Sequence, residues 1–184
     1  MSFFIEIGTS DFDTLEYLAK DGWKGIFVEP VKELLDNLKR YDGCIYENCA
    51  ISNHEGSAAI KFYDPKWATG WTRGVGSILD VNLFQANPLF REHEIKRKVN
   101  VMSLDALIEK YNVKEIDILK LDTEGNEFRI LNHYSWNIIP PVLICEYKHW
   151  ESMGYPTDLF LKKLKDMGYK YTMDKQNITA VLEK

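Results

Sequence analysis

The sequence of 184 residues contains few cysteines and no long apolar run, and each absence excludes a class of protein. Its three cysteines, Cys44, Cys49 and Cys145, have no metal-ligand spacing, and an odd thiol would remain if any two were joined. We therefore expect reduced thiols and no disulfide scaffold. No apolar stretch approaches the roughly 20 residues that span a membrane, and residues 1–5 lack the features of a signal peptide. These absences predict a cytoplasmic protein that has no membrane partner.

The sequence also lacks a concentrated basic patch. The formal net charge is −5, acids and bases are interspersed, and the densest basic run is short, Lys96–Lys98. Binding to a phosphate backbone needs a basic patch, so nucleic acid is not an expected partner. Hydrophobic residues make up 45% and charged residues 28%, which is ordinary for a globular protein, and we expect residues 1–184 to form a single domain. The sequence leaves the oligomeric state open.

Apolar runs alternate with amphipathic stretches in the order that builds a doubly wound α/β sheet. A strand or hairpin arm at 57–63, a strand at 99–101 and a closing antiparallel pair at 169–174 and 178–183 are predicted as well, and residues 64–78 are predicted as a long loop of the kind that often binds ligands. The main strands are predicted at residues 3–8, 25–30, 45–52, 116–121 and 142–146, and the helices at 14–20, 31–38, 103–111, 128–133 and 156–167.

Carboxylates recur where the predicted parallel strands end. They are Glu6, Glu29, Asp122 with Glu124, and Glu146. In an open α/β sheet these ends meet at the edge where the ligand binds, and a buried carboxylate is costly unless it is paired. Any one of them could instead cap a helix. Their recurrence indicates a ligand that is cationic or rich in hydroxyl groups, a metal, or both.

One of these acids indicates a nucleoside. Glu29 lies about 20 residues after Gly8, the position from which an acid holds a ribose diol. A pyrophosphate, however, needs several glycines in the first turn. This turn has one glycine and two acids, Asp11 and Asp13, and the Walker phosphate loop is absent. S-adenosylmethionine carries a sulfonium and an ammonium and no phosphate, so it fits better than NAD or ATP.

Three blocks of the sequence resemble the FkbM-type S-adenosylmethionine-dependent methyltransferases. The most specific is the third, because its Leu-Asp-x-Leu helix, Ile-Asp strand and Lys-x-Asp-x-Glu-Gly-x-Glu turn come in the family's order. The resemblance implies a Rossmann-like, doubly wound seven-stranded sheet with an antiparallel last strand, the class I methyltransferase fold. It also implies O-methylation of a hydroxyl group on a small molecule or glycan. The blocks are Phe4–Gly8 with Phe27–Pro30, Asn48–Ser52, and Val101–Leu107 leading into Ile116–Glu127.

The resemblance extends to the cofactor site. It places the turn after the first strand against the methionine end, Glu29 on the ribose and the third-strand segment along the adenine. One departure is Ser10-Asp11-Phe12, where the family usually has Asn and a second Gly. The residues expected to bind S-adenosylmethionine are Glu6, Gly8, Thr9, Ser10, Glu29, Pro30, Ala50, Ile51, Ser52 and Asp122.

Methyl transfer needs an acceptor oxygen positioned in line and, for most hydroxyls, a group that takes its proton. Glu124, Glu146 and His149 are the candidate bases, with Asp122 beneath them near the cofactor, and the sequence does not choose between the two glutamates. Asp122, Glu124 and Glu146 could instead hold Mg²⁺ or Ca²⁺. We favour a metal-free site, because acids also suit the sulfonium and no histidine joins them at a convincing spacing.

A rival interpretation from another class is a non-catalytic nucleoside-binding or scaffold protein that retains the fold. The altered turn after Gly8 is its only support, whereas the acids at the strand ends favour the enzyme.

Overall fold

A computed structural model describes residues 2–11, 15–79 and 92–183. The predicted helix at 14–20 is seen from Glu16, and Thr14 lies outside the described residues. The described helices are α1 Glu16–Lys20, α2 Lys32–Asn37, α3 Leu104–Lys110, α4 Glu127–His133 and α5 Thr157–Asp166, with a 3₁₀ turn at Gly70–Thr72. The described strands are β1 Phe3–Ile7, β2 Lys24–Val28, β3 Cys44–Glu47, β4 Ala50–Ile51, β5 Gly56–Tyr63, β6 Gly76–Ser77, β7 Glu94–Met102, β8 Ile118–Leu121, β9 Val142–Glu146, β10 Tyr169–Met173 and β11 Asn177–Leu182.

The main sheet has seven strands in the order β10-β11-β9-β8-β1-β2-β3. The strands from β9 to β3 in this order run parallel, whereas β11 is antiparallel to both of its neighbours. β11 is also the last strand along the chain. The predicted seven-stranded sheet with an antiparallel last strand, the class I methyltransferase fold, is therefore confirmed.

Helices cover both faces of this sheet because alternate side chains of its central strands point to opposite sides. Ile5 of β1 belongs to one buried cluster, which includes apolar residues of α3, α4 and α5. Its neighbour Phe4 belongs to another, which includes residues of α1 and α2. Both side chains are fully buried, so β1 lies in the centre of the molecule and holds its carboxyl end in a fixed position.

A second sheet of four strands, β4-β7-β5-β6, lies beside the carboxyl edge of the first. The predicted strand at 45–52 is divided between the two sheets, since β3 ends at Glu47 and β4 begins at Ala50. Asn48 explains the division. Its side-chain amide donates to the carbonyl oxygens of Glu29 and Pro30, at 2.8 and 3.1 Å, so the side chain and not the backbone takes these acceptors where pairing with β2 ends. The predicted strand at 57–63 is confirmed as β5, which pairs with β7.

Among the described residues, no helix is long and apolar enough to cross a membrane.

Candidate active site

A cavity opens at the carboxyl edge of the main sheet. Its void is about 560 Å³, which includes the solvent-open space at its mouth. The ends of β1, β2 and β8 form its floor, and residues of the second sheet form a largely apolar wall. Six predicted cofactor residues line it: Gly8, Glu29, Pro30, Ala50, Ile51 and Asp122. Other lining residues include Ile60, Phe62, Tyr63, Val75, Thr123 and Asn126.

Gly8 lets two strands meet at the floor of this cavity. β1 and β8 pair with Ile7 opposite Leu121, so the next residues, Gly8 and Asp122, lie side by side. Gly8 has a φ of 78°, and a Cβ there would lie 1.7 Å from the carbonyl oxygen of Asp122. Only glycine fits this contact, so Gly8 allows the two strand ends that form the floor to meet.

Glu29 follows the end of β2 and is 4% exposed. Its Oε2 accepts a hydrogen bond from the backbone N–H of Ser10 and its Oε1 one from that of Val31, both at 2.8 Å. Burial raises the pKa of Glu29 to about 7, and these two hydrogen bonds oppose the rise. Each carboxylate oxygen can accept a second hydrogen bond, so Glu29 can hold the turn and still bind a diol.

Two other predicted cofactor residues, Glu6 and Ser52, lie behind the lining of the cavity. Glu6 is wholly buried, and its Oε1 receives the ammonium of Lys120 at 2.8 Å while its Oε2 accepts from the backbone N–H of Leu15 at 2.7 Å. Burial raises the pKa of Glu6, and Lys120 opposes the rise. The Ser52 hydroxyl bonds to Oδ1 of Asn126 at 3.4 Å. These contacts shape the walls of the cavity.

Thr9 and Ser10, also predicted to bind the cofactor, are buried in the turn after β1 and do not line the cavity. Their backbone N–H groups donate to the carbonyl of Val28 and to Glu29 respectively. Ser10 adopts a positive φ of 52°, which is uncommon outside glycine. The turn is thus held by its backbone against the end of β2.

The predicted catalytic residues Glu124, Glu146 and His149 come together beside the cavity. Nε2 of His149 lies 3.0 Å from Oε2 of Glu124 and 3.9 Å from Oε2 of Glu146. Sequence spacing did not indicate a histidine beside the acids as a metal ligand, but the chain turns directly after β9 and returns His149 to them. Asp122, the fourth predicted catalytic residue, lines the cavity two positions before Glu124.

Lys148 also belongs to this cluster and was missed by the sequence analysis. Its ammonium lies 2.6 Å from Oε1 of Glu146 and 3.2 Å from Oε2 of Glu124. Burial alone would raise the pKa of Glu124, but the hydrogen bond with His149 and the charge of Lys148 outweigh it and lower that pKa. At Glu146 burial prevails, and the charges of Asp122 and Glu124 add to it, so its pKa is raised. The two carboxyls therefore differ in their affinity for a proton.

A tight turn between β8 and α4 aims Glu124 into the cluster. Glu124 and Gly125 have positive φ values of 53° and 101°. Glu127, fully buried, holds this turn because its Oε1 accepts from the backbone N–H of Thr123 at 2.6 Å and its Oε2 from that of Gly125 at 3.1 Å. Burial raises the pKa of Glu127 to about 6. Glu127, the last acid of the Lys-x-Asp-x-Glu-Gly-x-Glu turn, thus positions the two acids before it, Asp122 and Glu124.

Asn126 links the turn to the second sheet and was also missed. Its side-chain amide donates to the carbonyl oxygen of Ile51 at 2.8 Å, and the residue lines the cavity. Ser77 makes a parallel link, since its hydroxyl donates to the carbonyl of Glu124 at 3.0 Å. A sequence signal existed only for Asn126, which lies within the motif. Lys148 and Ser77 are brought in by the tertiary fold.

No curated protein matches this chain in sequence. Among solved structures, a chain of a fibrillarin/Nop5p complex is similar, with a TM-score of 0.47 and 13% identity over 100% of this chain and 73% of that one. The family comparison matches residues 6–171 to the methyltransferase FkbM domain, a span that includes both strand-end turns and the whole carboxylate cluster. The chain belongs to the FkbM methyltransferase family.

Proposed function

We propose that this protein transfers a methyl group from S-adenosylmethionine to a hydroxyl group of a small molecule or glycan. The observation that carries the proposal is a single turn, Asp122–Glu124, that joins two sites. Asp122 and Thr123 line the cavity, and Glu124 enters the cluster with Glu146 and His149. In this proposal, a nucleoside cofactor and a proton-accepting group meet at the same edge of the sheet.

The residues of the cavity fit this cofactor. Glu29 presents a carboxylate suited to a ribose diol, and the apolar wall that includes Ala50, Ile51 and Phe62 suits a purine ring. Gly8 lets the ends of β1 and β8 come together beneath the cavity, since a Cβ there would meet the backbone of Asp122. Asp122 supplies negative charge for the ammonium and sulfonium groups. The cofactor, when bound, supplies an electrophilic methyl group.

The cluster fits the acceptor. A hydroxyl oxygen must approach the methyl group in line and give up its proton. Glu124 is the better placed of the two glutamates to take that proton, because His149 and Lys148 hold it in one orientation and favour its ionised form. Glu146, whose pKa is raised, is the alternative base.

A binding measurement and a product measurement test the proposal together. Calorimetry should show that S-adenosylmethionine and its demethylated product each bind to one site per chain, and binding should raise the melting temperature. Mass spectrometry on a panel of hydroxylated small molecules and glycans should then detect a gain of one methyl group on oxygen. Binding of NAD with no binding of S-adenosylmethionine would overturn the assignment.

A further inference from the structure

Three potential metal ligands converge at the cluster from separate parts of the chain. Glu124 comes from the turn after β8, Glu146 is the last residue of β9, and His149 follows three residues later. One ligand atom of each lies within 4.8 Å of the others. Acids alone would not define a site, since such groups are common on protein surfaces. Here the carboxylates are buried and a nitrogen ligand joins them.

An unsatisfied oxygen points to a missing ligand. Glu146 is 4% exposed, and its Oε2 accepts no hydrogen bond from the part of the chain that the structure describes. The atom faces Nε2 of His149 at 3.9 Å, which is too long for a hydrogen bond. Burying a carboxylate oxygen without a partner is costly. A positively charged ligand between Glu146 and His149 would satisfy it.

We propose that Glu124, Glu146 and His149 bind a divalent transition-metal ion such as Zn²⁺ or Mn²⁺. One imidazole and two carboxylates suit these ions, whereas Mg²⁺ and Ca²⁺ prefer oxygen ligands alone. Tetrahedral bonds of about 2.0–2.2 Å place ligand atoms about 3.3–3.6 Å apart. The observed separations of 3.0 and 3.9 Å lie on either side of that range. The ligand atoms of the two glutamates lie within 4.8 Å of each other, so modest side-chain shifts would bring all three atoms to it.

Lys148 sets the strength of this site. Its ammonium already lies on Glu146 Oε1 and Glu124 Oε2, so it neutralises one of the two carboxylate charges and competes with an added cation. It leaves Oε2 of Glu146 without a hydrogen bond. Removal of the ammonium should therefore strengthen metal binding, although it removes two ion pairs from the protein. A purely structural cluster would show no such gain.

The role of the ion rests on the proposed function. Three protein ligands leave one coordination position open, as in catalytic zinc sites. With the ion bound, Glu124 is a ligand and no longer the proton acceptor of the metal-free site. An acceptor hydroxyl in the open position would be oriented and its pKa lowered, and its proton would leave to water. The site thus selects acceptors whose hydroxyl oxygen can reach a metal. Metal binding itself does not depend on the cofactor, so the two proposals can fail separately.

Calorimetry on the untagged, chelator-stripped protein tests the site without any cofactor present. Zn²⁺ and Mn²⁺ should each bind at one ion per chain, and Mg²⁺ should bind much more weakly. Glu146→Gln and His149→Gln should each lower the affinity by about 100-fold or more, since even changes outside the ligand shell cost 10–100-fold. Glu151→Gln is the matched control, because Glu151 is exposed on the same segment, and it should bind the ion as the parent does.

Lys148→Met should change the metal affinity in the opposite direction from the ligand variants. It should bind Mn²⁺ about tenfold more tightly than the parent, because a competing positive charge is removed. Thermal melts confirm that each variant is folded. The metal site is excluded if the parent binds neither ion, or if both ligand variants bind like the control. S-adenosylmethionine binding measured in excess chelator then shows whether the protein binds the cofactor when no metal ion is present.

Discussion

Nε of Arg73 lies 2.7 Å from Oδ1 of Asp11, and a second guanidinium nitrogen contacts the other carboxylate oxygen. This ion pair joins the loop of residues 64–79 to the turn after β1. The Asp11 side chain is 3% exposed and that of Arg73 is 39% exposed, so one partner of the pair is shielded. Gly74 and Val75, next to Arg73, line the cavity. The turn that departs from the family pattern therefore holds in place the loop that forms one wall of the cavity. The departure, the only support for a non-catalytic protein, has a structural role.

Arg73→Leu should release this loop and weaken cofactor binding. A bidentate pair with one shielded partner contributes about 1 kcal/mol, equivalent to about a three- to tenfold loss of affinity. Stopped-flow measurements should assign the loss to faster dissociation. Arg40→Leu, which removes an exposed arginine paired with Asp36, is the control and should leave dissociation unchanged. Equal dissociation rates in the two variants would show that the loop does not retain the ligand.

Glu29→Gln should weaken S-adenosylmethionine binding by about ten- to a hundredfold, because charged hydrogen bonds to a diol contribute about 1.5–3 kcal/mol. The structure shows that Glu29 also accepts the backbone N–H groups of Ser10 and Val31. Glu29→Ala would therefore loosen the turn as well as remove the ribose contact. Gln keeps one acceptor oxygen and the volume. Calorimetry of Glu29→Gln measures the loss of cofactor affinity, and a melting curve of the same variant measures any loosening of the turn. Unchanged affinity would show that Glu29 does not bind the ribose.

Cofactor affinity should rise with pH because the pKa of Glu29 is raised to about 7 by burial. Its ionised form accepts two hydroxyl hydrogen bonds, so the ionised fraction grows about tenfold between pH 6 and pH 8 and affinity should follow. Stability of the free protein should change in the opposite direction. The folded state holds this proton more tightly than the unfolded state does, so stability falls as pH rises from about 4.5 to about 7. A Glu29→Gln variant whose affinity keeps the same pH dependence would assign the effect to another group.

Much of the main sheet could be predicted because its central strands are apolar on both faces. Ile5, Ile7, Leu119 and Leu121 are at most 1% exposed, and each strand is followed by a carboxylate or glycine. The second sheet was not predicted as a sheet. β4 and β6 have two residues each, and such short pairs have no periodicity of their own.

The candidate site, like the fold, could be predicted from the sequence only in part. Glu29, Asp122 and Glu124 could be predicted because they directly follow strands or lie in a motif. Lys148 could not, since its position in the cluster depends on the turn Tyr147–Trp150 that follows β9, which local sequence does not specify. Glu127 was placed in the motif, but its contacts with Thr123 and Gly125 arise only when the chain forms the tight turn.

Glu127→Ala should destabilise the protein by on the order of 2–4 kcal/mol, because two backbone N–H groups near the site lose a buried charged acceptor. Urea unfolding measures the change. Glu109→Ala, at an exposed position of α3, is the control and should stay within about 0.5 kcal/mol of the parent. Glu127→Gln should recover part of the loss because it keeps one acceptor oxygen. A small effect of Glu127→Ala would mean that the turn is held by other contacts.

Glu124→Gln should slow methyl transfer at pH 7 by about 10²–10⁴, the usual effect of removing a positioned proton acceptor. The amide keeps the shape of the side chain and can still meet Lys148, but it cannot take a proton. Cofactor affinity should change by less than about threefold, because Glu124 faces the acceptor and Glu29 and Asp122 line the cavity instead. Single-turnover rates with saturating cofactor and excess chelator, compared with Glu151→Gln, isolate the proton transfer from any effect of a bound metal. If Glu124→Gln reacts at the parental rate while Glu146→Gln is slow, Glu146 is the base; if neither is slow, Glu124 and Glu146 are both excluded and His149 becomes the group to test.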